Sequence, residues 1–505
     1  MATSNAPRDI APLKEKHPSP PRLNEDVLLL LARFLDTQTL VSFLKISRTF
    51  HASSPFFLLR GAVKITRASG LLSLHSFLCR DEAQHLPLFL HLHISLSHDE
   101  ISLIKPEDVR VLCHVLKRAA CLKTLEISQC GCHEDHDRSR VAWSYSLLGP
   151  VITACAGITH LKLHNFTQEY LTSTLARAPS SLVTLHLDFS WRSPNILNIA
   201  ADIRLGRFAS TLEELTLLGD FLCFKMESTV KFLRLQRLTM AKFDEFIMPD
   251  VITSFPRAIE LQFSQYSGLL PNPSAMRTWS KHYQAEHPPW SRLERVSGSL
   301  RSLYTAGLVC PVHRLDIVGY ISKEKHLRRL HAVLEDAQPR ILVLTLSPAN
   351  DGLESRLFPT SVAGSLRSLI LVVDFAHASI HFIEETISDR INRLVALSIP
   401  PPTTIMVVSL KLTVLTEAPT TTIQPAIDAL NSVPKEDLAR RLSTRHPSLS
   451  AVFVNVQESD FRYGWTISRG DAGTPGLELM DSEVLEEIVQ REGLRASPVL
   501  VADGG

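Results

Sequence analysis

The chain has 505 residues, 45% hydrophobic and 21% charged, the balance of a folded protein with ample core. Its 53 basic and 52 acidic side chains leave a net charge of +1, so no global field gathers phosphate backbones or anionic lipid, and neither nucleic acid nor membrane is an expected partner. Eight cysteines without a CxxC pair, no apolar run longer than the six residues 27–32, and no signal-peptide core in residues 1–21 point to the cytoplasm, the nucleus or both.

In chain order, residues 1–21 carry Pro7, Pro12, Pro18, Pro20 and Pro21 and too little apolar area to offset ordering entropy, so a flexible leader is expected. At Leu23 the pattern changes. LNEDVLLLLARFLD repeats Val27, Leu28, Leu31, Phe34 and Leu35 at helical spacing. Asp36 or Thr37 caps a second helix bearing Leu40, Phe43, Leu44 and Ile46, and Ser47 a third containing Phe50. The expectation is a compact three-helix unit over 22–60. So many large apolar positions in so short a unit cannot all be buried internally, and the remainder must meet a partner or cap the neighbouring part of the chain.

From there to residue 456 one pattern recurs: apolar-x-x-apolar-x-apolar. It appears as FLHLHI, LKTLEI, ITHLKL, LVTLHL, LEELTL, LQRLTM, AIELQF, VHRLDI, ILVLTL, LRSLIL, LVALSI and LSAVFV, the first beginning at Phe89 and the last at Leu449. Successive starts lie 23 to 36 residues apart except for two gaps of 54 and 55, close to the roughly 20 to 29 residues of a leucine-rich repeat. The first gap holds a further candidate, LRSLYT at Leu300, and the second the strand-like IMVVSLKLTVL. Helical stretches precede several copies: PEDVRVLCHVLKRA, SLLGPVITACA, QEYLTSTLARA and KHLRRLHAVLED. Helix, turn, short strand, repeated, predicts an α/β solenoid over 61–456, with parallel strands on a concave face and helices outside. The alternative is a doubly wound sheet. Residues 457–505 read as a cap and tail with one helix over 481–491.

Between the apolar positions of each copy, alternation directs side chains to the concave surface. The early copies put His91, His93, Thr124, Glu126, His160, Lys162, His164, Thr184, His186 and Asp188 there, and Glu126 and Lys162 fall within pairing reach on adjacent strands. The late copies put Val343, Thr345, Ser368, Ile370, Val372 and Phe453 there, so the face runs from polar and histidine-rich to apolar. The residues expected to bind a target are His91, His93, Glu126, His160, Lys162, His164, His186 and Asp188, the histidines titrating near neutral pH. The alternative is a solvated surface without a partner.

No nucleotide, serine-hydrolase or zinc-protease motif occurs, so neither enzymatic activity nor a cofactor is expected. CGCHEDHD gathers Cys130, Cys132, His133 and His136, but its CxC spacing lacks a second half, and a polar loop leaving a strand explains it equally well; no metal is expected.

The segment 21–51 resembles the F-box. LNEDVLLLLARFLD is similar to that family's helix start and TLVSFLKISRTFH to its second half, with Asn24 where the family usually carries proline; asparagine caps the helix instead. The resemblance covers about thirty residues and implies docking on a Skp-type adaptor, and through it a cullin, by Leu23, Val27, Leu28, Leu31, Leu35, Leu40, Leu44 and Ile46. An F-box followed by divergent leucine-rich repeats, as in fungal F-box proteins, implies the substrate-recognition subunit of a ubiquitin ligase with an unidentified protein target. The alternative is a non-catalytic leucine-rich-repeat scaffold or sensor outside any ligase.

Overall fold

A computed structural model of the chain describes residues 35, 39–40, 42, 56–59, 61–79, 85–130, 149–166, 168–189, 205–224, 229–264, 272–287, 290–321, 323–346, 356–359, 364–375, 383–400, 402–411, 420–456, 463–469 and 475–494. Among the described residues sixteen strands form one open sheet in which spatial order equals chain order. They are β1 (Val63–Ile65), β2 (His91–Ser97), β3 (Thr124–Cys130), β4 (His160–His164), β5 (Thr184–Phe189), β6 (Glu214–Phe224), β7 (Arg237–Phe246) and β8 (Glu260–Ser264). The series continues with β9 (Leu293–Ser299), β10 (Val312–Tyr320), β11 (Ile341–Leu346), β12 (Ser368–Asp374), β13 (Ile405–Lys411), β14 (Ala451–Val456), β15 (Gly464–Arg469) and β16 (Pro475–Leu479). Pairing is parallel from β1 to β14 and antiparallel from β14 to β16. The sequential parallel ladder is that of a leucine-rich-repeat-like solenoid and excludes the doubly wound alternative, whose strand order reverses.

One backbone device repeats at the strand entrances. The carbonyl of the residue just before a strand accepts two consecutive N–H groups from the next rung: Leu90 from Lys123 and Thr124 at 2.9 and 3.1 Å, Lys123 from Thr159 and His160 at 2.9 and 3.0 Å, Thr159 from Val183 and Thr184 at 2.8 and 3.0 Å. Val183, Glu213, Gln236 and Ile259 continue the relay, and Arg340, Arg367 and Thr404 repeat it in the later rungs. A carbonyl has two lone pairs, so each entrance is saturated and each rung is locked to the next in fixed register.

The alternation read from sequence sets the two faces. Leu161, Leu163, Leu185, Leu187, Leu215 and Leu217 are fully buried on one side, in a core that also takes Leu112 and Val115 of helix α1 (Pro106–Arg118) and Leu330 and Leu334 of α2 (Glu324–Ala337). The first apolar residue of the early copies, Leu122, Ile158, Leu182, Leu212 and Leu235, is also buried there, from the turn entering the strand. For that reason β3 to β8 begin two residues after the sequence blocks do.

Two blocks are not strands. LVALSI straddles the end of helix α3 (Ile383–Val395), and the strand of that region is the IMVVSLK of β13. LRSLYT forms a helix, Leu300–Ala306, and its strand is the preceding LERVSGS of β9. In both, leucines at i and i+3 satisfy a helix as well as they satisfy the repeat: Leu394 with Leu397, and Leu300 with Leu303. The helices expected over PEDVRVLCHVLKRA and KHLRRLHAVLED form at Pro106–Arg118 and Glu324–Ala337. The helix expected over 481–491 forms at Ser482–Arg491 and is designated α4.

Of the proposed adaptor-docking residues, only Leu35, half-buried at a bend, and Leu40, buried and helical, are described; Leu23, Val27, Leu28, Leu31, Leu44 and Ile46 lie outside the described residues. So do Cys132, His133 and His136 of CGCHEDHD, while Cys130 ends β3. Among the described residues no helix is long and apolar enough to cross a membrane.

Because Leu161 is fully buried between neighbouring rungs, Leu161→Ala should cost about 2 to 5 kcal/mol of stability through the cavity it leaves. Lys162→Ala, one residue away on the opposite face, should cost less than about 1 kcal/mol. Urea denaturation of the two variants checks the facing of the sheet.

Candidate functional site

The face of the sheet opposite the helices carries one residue per strand in a continuous row. Through the register it runs Lys64, His93, Glu126, Lys162, His186, Thr216, Thr239, Gln262, Ser297, Asp316, Val343, Ile370, Val407, Phe453. Neighbours in such a row stand about 4.8 Å apart at the backbone, so side chains of ordinary length touch across rungs.

At the early end these contacts form a polar patch centred on Glu126. Its Oε1 lies 3.4 Å from His93 Nε2 and 3.8 Å from His164 Nε2, and its Oε2 lies 3.5 Å from Lys162 Nζ. The far side of the His164 ring, at Nδ1, is 3.7 Å from Asp188 Oδ2, and its face meets the His186 ring at 4.7 Å between centroids. His93 Nε2 is also 3.3 Å from Ser128 Oγ. The structure thus brings together His93, Glu126, Lys162, His164, His186 and Asp188. His91 and His160 sit half-buried one row away, paired in register with Thr124, and Thr184 lies beside His160.

These groups are half-buried and reachable from solvent, which limits each ion pair to roughly 0.2 to 1 kcal/mol of stability. Their chemical value lies in display: one carboxylate is already surrounded by a lysine and two imidazoles, with a second carboxylate beyond. Among the described residues no group of three or more His, Cys, Asp or Glu side chains has the geometry to hold a metal ion.

Burial corrects the expected titration of two histidines. Desolvation, reinforced by the neighbouring His164, pushes the His186 imidazole down to about 4, and its buried Nε2 has no hydrogen-bond partner among the described residues. Desolvation also lowers His93, against the opposing pull of Glu126. His186 is therefore neutral at the pH where the sequence placed its switch, and it packs as an aromatic spacer between rungs.

The middle and late rungs differ from expectation more sharply. Beside the main row, Glu214, Arg237, Glu260 and Arg295 alternate in charge in register, with Arg237 Nη2 donating to Glu214 Oε2 at 2.8 Å. The alternation ends at a buried ionic cluster. Asp316, 2% exposed, accepts from Arg314 Nε at 2.7 Å and from Arg295 Nε at 2.9 Å. Arg314 Nη1 in turn donates to the carbonyl of Gly493, just past α4. Sequence reasoning passed over Arg295, Arg314 and Asp316, although VHRLDI carries two charges at open-face positions where the next strand turns apolar.

Beyond Asp316 the open face is covered. Val343, Ile370, Val407 and Phe453 form a second apolar cluster with Met480, Leu485, Val489 and Leu494, the residues of α4 and its flanks. Val343, Ile370, Ser368 and Phe453, expected on an exposed concave surface, are buried. Among the described residues of 457–505, expected as a cap and tail, β15 and β16 extend the sheet in antiparallel order and α4 lies across its face.

No family model matches the chain, and no curated protein matches it. Among solved structures, the leucine-rich repeat-containing protein LegL7 from Legionella pneumophila aligns over 77% of this chain and 100% of that one, at 15% identity and a TM-score of 0.36. A likeness of that size carries no argument, and the leucine-rich-repeat character of this chain rests on its own ladder of in-register parallel strands.

The depressed His186 has a stability consequence with a definite sign. Unfolded, the ring takes up a proton near 6.5; folded, only near 4. The unfolded state binds more protons between those values, so stability falls as pH falls through that window. His446, also pushed down to about 4 by burial, adds to the same slope. His186→Phe should remove about 1 to 3 kcal/mol of the loss between pH 6.5 and 4, measured as the difference in urea midpoints at the two pH values.

Proposed function

We propose that the chain is the substrate-recognition subunit of a Skp-cullin-F-box ubiquitin ligase, docking an adaptor through residues 22–60 and a protein target through the early rungs of the open face. The supporting observation is the half-buried, solvent-reachable polar patch around Glu126. It is a preformed, in-register display on a rigid scaffold, whereas the helices and α4 cover the other faces at hand. Such a patch gives specificity and orientation by charge complementarity more than it gives raw affinity. The F-box resemblance supplies the adaptor half of the reading. The subunit performs no chemistry itself: it raises the effective concentration of target near the catalytic subunits. It acts in the cytoplasm or nucleus, without cofactor, nucleic acid or membrane.

The test has two arms. Affinity purification of the intact protein and of a version lacking residues 22–51 should lose adaptor and cullin from the second sample while both retain the target. Leu31→Asp or Leu44→Asp should abolish adaptor capture, because an unpaired charge in a desolvated contact costs several kcal/mol. Glu126→Lys should weaken target capture at least roughly tenfold, since it inverts the centre of the patch, and leave adaptor capture unchanged. Adaptor capture that survives both Asp substitutions would end the ligase reading.

A further inference from the structure

The apolar half of the open face already holds a ligand of known chemistry, supplied by the chain itself. Leu485 and Val489, four residues apart on α4, are buried against the face, and Leu494 is buried beyond the αL turn at Gly493, φ +61°. The outer side of the helix, at Glu483, Val484, Glu487 and Gln490, is exposed. Its C-terminal end is held by charge: Arg314 donates to the Gly493 carbonyl, and Arg367 Nη2 lies 3.6 Å from Glu492 Oε1. Two guanidinium groups thus mark where a helix C-terminus, with its partial negative charge, belongs.

α4 lies across this surface without being a rung of the ladder. It has ten residues, too short to persist as an isolated helix in water, so its order is tied to docking. It contributes no strand, and no strand of the ladder follows it among the described residues. The surface beneath is built by β11 to β14, which are locked to one another by their own ladders and by the leucine core on the other side. Gly464 marks how closely this layer packs, since a Cβ there would stand 2.8 Å from the Phe453 ring and 3.3 Å from Leu485 Cδ1.

We propose that the face formed by Val343, Ile370, Val407 and Phe453 is a helix-accepting groove, occupied in cis by α4, and that a partner's amphipathic helix enters it in place of α4. The partner helix carries apolar residues at i and i+4, a third apolar residue after its C-terminus, and an acidic residue there to meet Arg367. This site is separate from the polar patch and from the adaptor-docking segment, and access to it is set by the opening of α4.

The experiment uses the full chain. Hydrogen exchange of the wild type should show α4 amides exchanging at least roughly a hundredfold faster than those of β12 and β13, the mark of local opening. Exchange of α4 only together with those strands would overturn the proposal. In the variant Leu485→Glu/Val489→Glu, α4 amides should lose protection while β12 and β13 keep theirs; loss of both would show that the helix is core and overturn the proposal. A fluorescent peptide with the sequence of residues 477–496 should bind this variant at least roughly tenfold more tightly than wild type, because the competing cis helix is gone. Adding Ile370→Glu should abolish capture, and Glu126→Lys should not change it. Equal binding to wild type and variant, or a wild-type dimer exchanging α4 between copies, would overturn it.

Discussion

The parallel register is the constraint on which everything else depends. Because one carbonyl at most of the strand entrances accepts two N–H groups of the next rung, those rungs are held in register, and a slip of a single residue would send the leucines of a strand to solvent. Fixed register converts the linear sequence into rows. One row begins at Lys64 and ends at Phe453, and its chemistry is decided one residue per strand. A patch such as that around Glu126 needs no converging loops: His93, Glu126, Lys162 and His186 meet because their strands are neighbours and their positions equivalent.

The two faces use this constraint differently. The helix side is uniform, a core of leucines repeated from rung to rung. The open side changes character along its length, from half-buried charges at β2 to β5, through the alternating Glu214, Arg237, Glu260 and Arg295, to the apolar surface under α4. Asp316 sits at the join. A carboxylate so deeply buried is tolerable only with its charge matched, and Arg295 and Arg314 do so, the second also holding the carbonyl at the end of α4. The polar and apolar halves are thus coupled through one ionic cluster.

Much of this was legible in the sequence. Period-two alternation identified most strands and both faces, and the pairing of Glu126 with Lys162 followed from equivalent positions in adjacent copies. The errors have physical sources. Spacing of i and i+3 belongs to the repeat and to a helix alike, which is why Leu394 with Leu397 and Leu300 with Leu303 misled. β1, β15 and β16 are short and weakly apolar and left no recurring pattern. The titration of His186 depended on a burial that only the packed rungs create. The helix at 482–491 was visible in its periodicity, but its destination was not: a run of apolar open-face residues at Val343, Ile370 and Val407 signals that something covers them, without naming it.

The antiparallel hairpin that ends the sheet has one more effect. An open sheet has two edges, and an unpaired edge is a template on which another chain can grow. Among the described residues the first strand is three residues long, with Lys64 at its centre. The last is five residues long, begins with a proline that has no N–H to offer, and carries Glu478. By reversing direction at β15, the chain sets at that edge of the described sheet a strand with a proline and a glutamate in place of the mostly apolar β14, which disfavours edge-to-edge pairing.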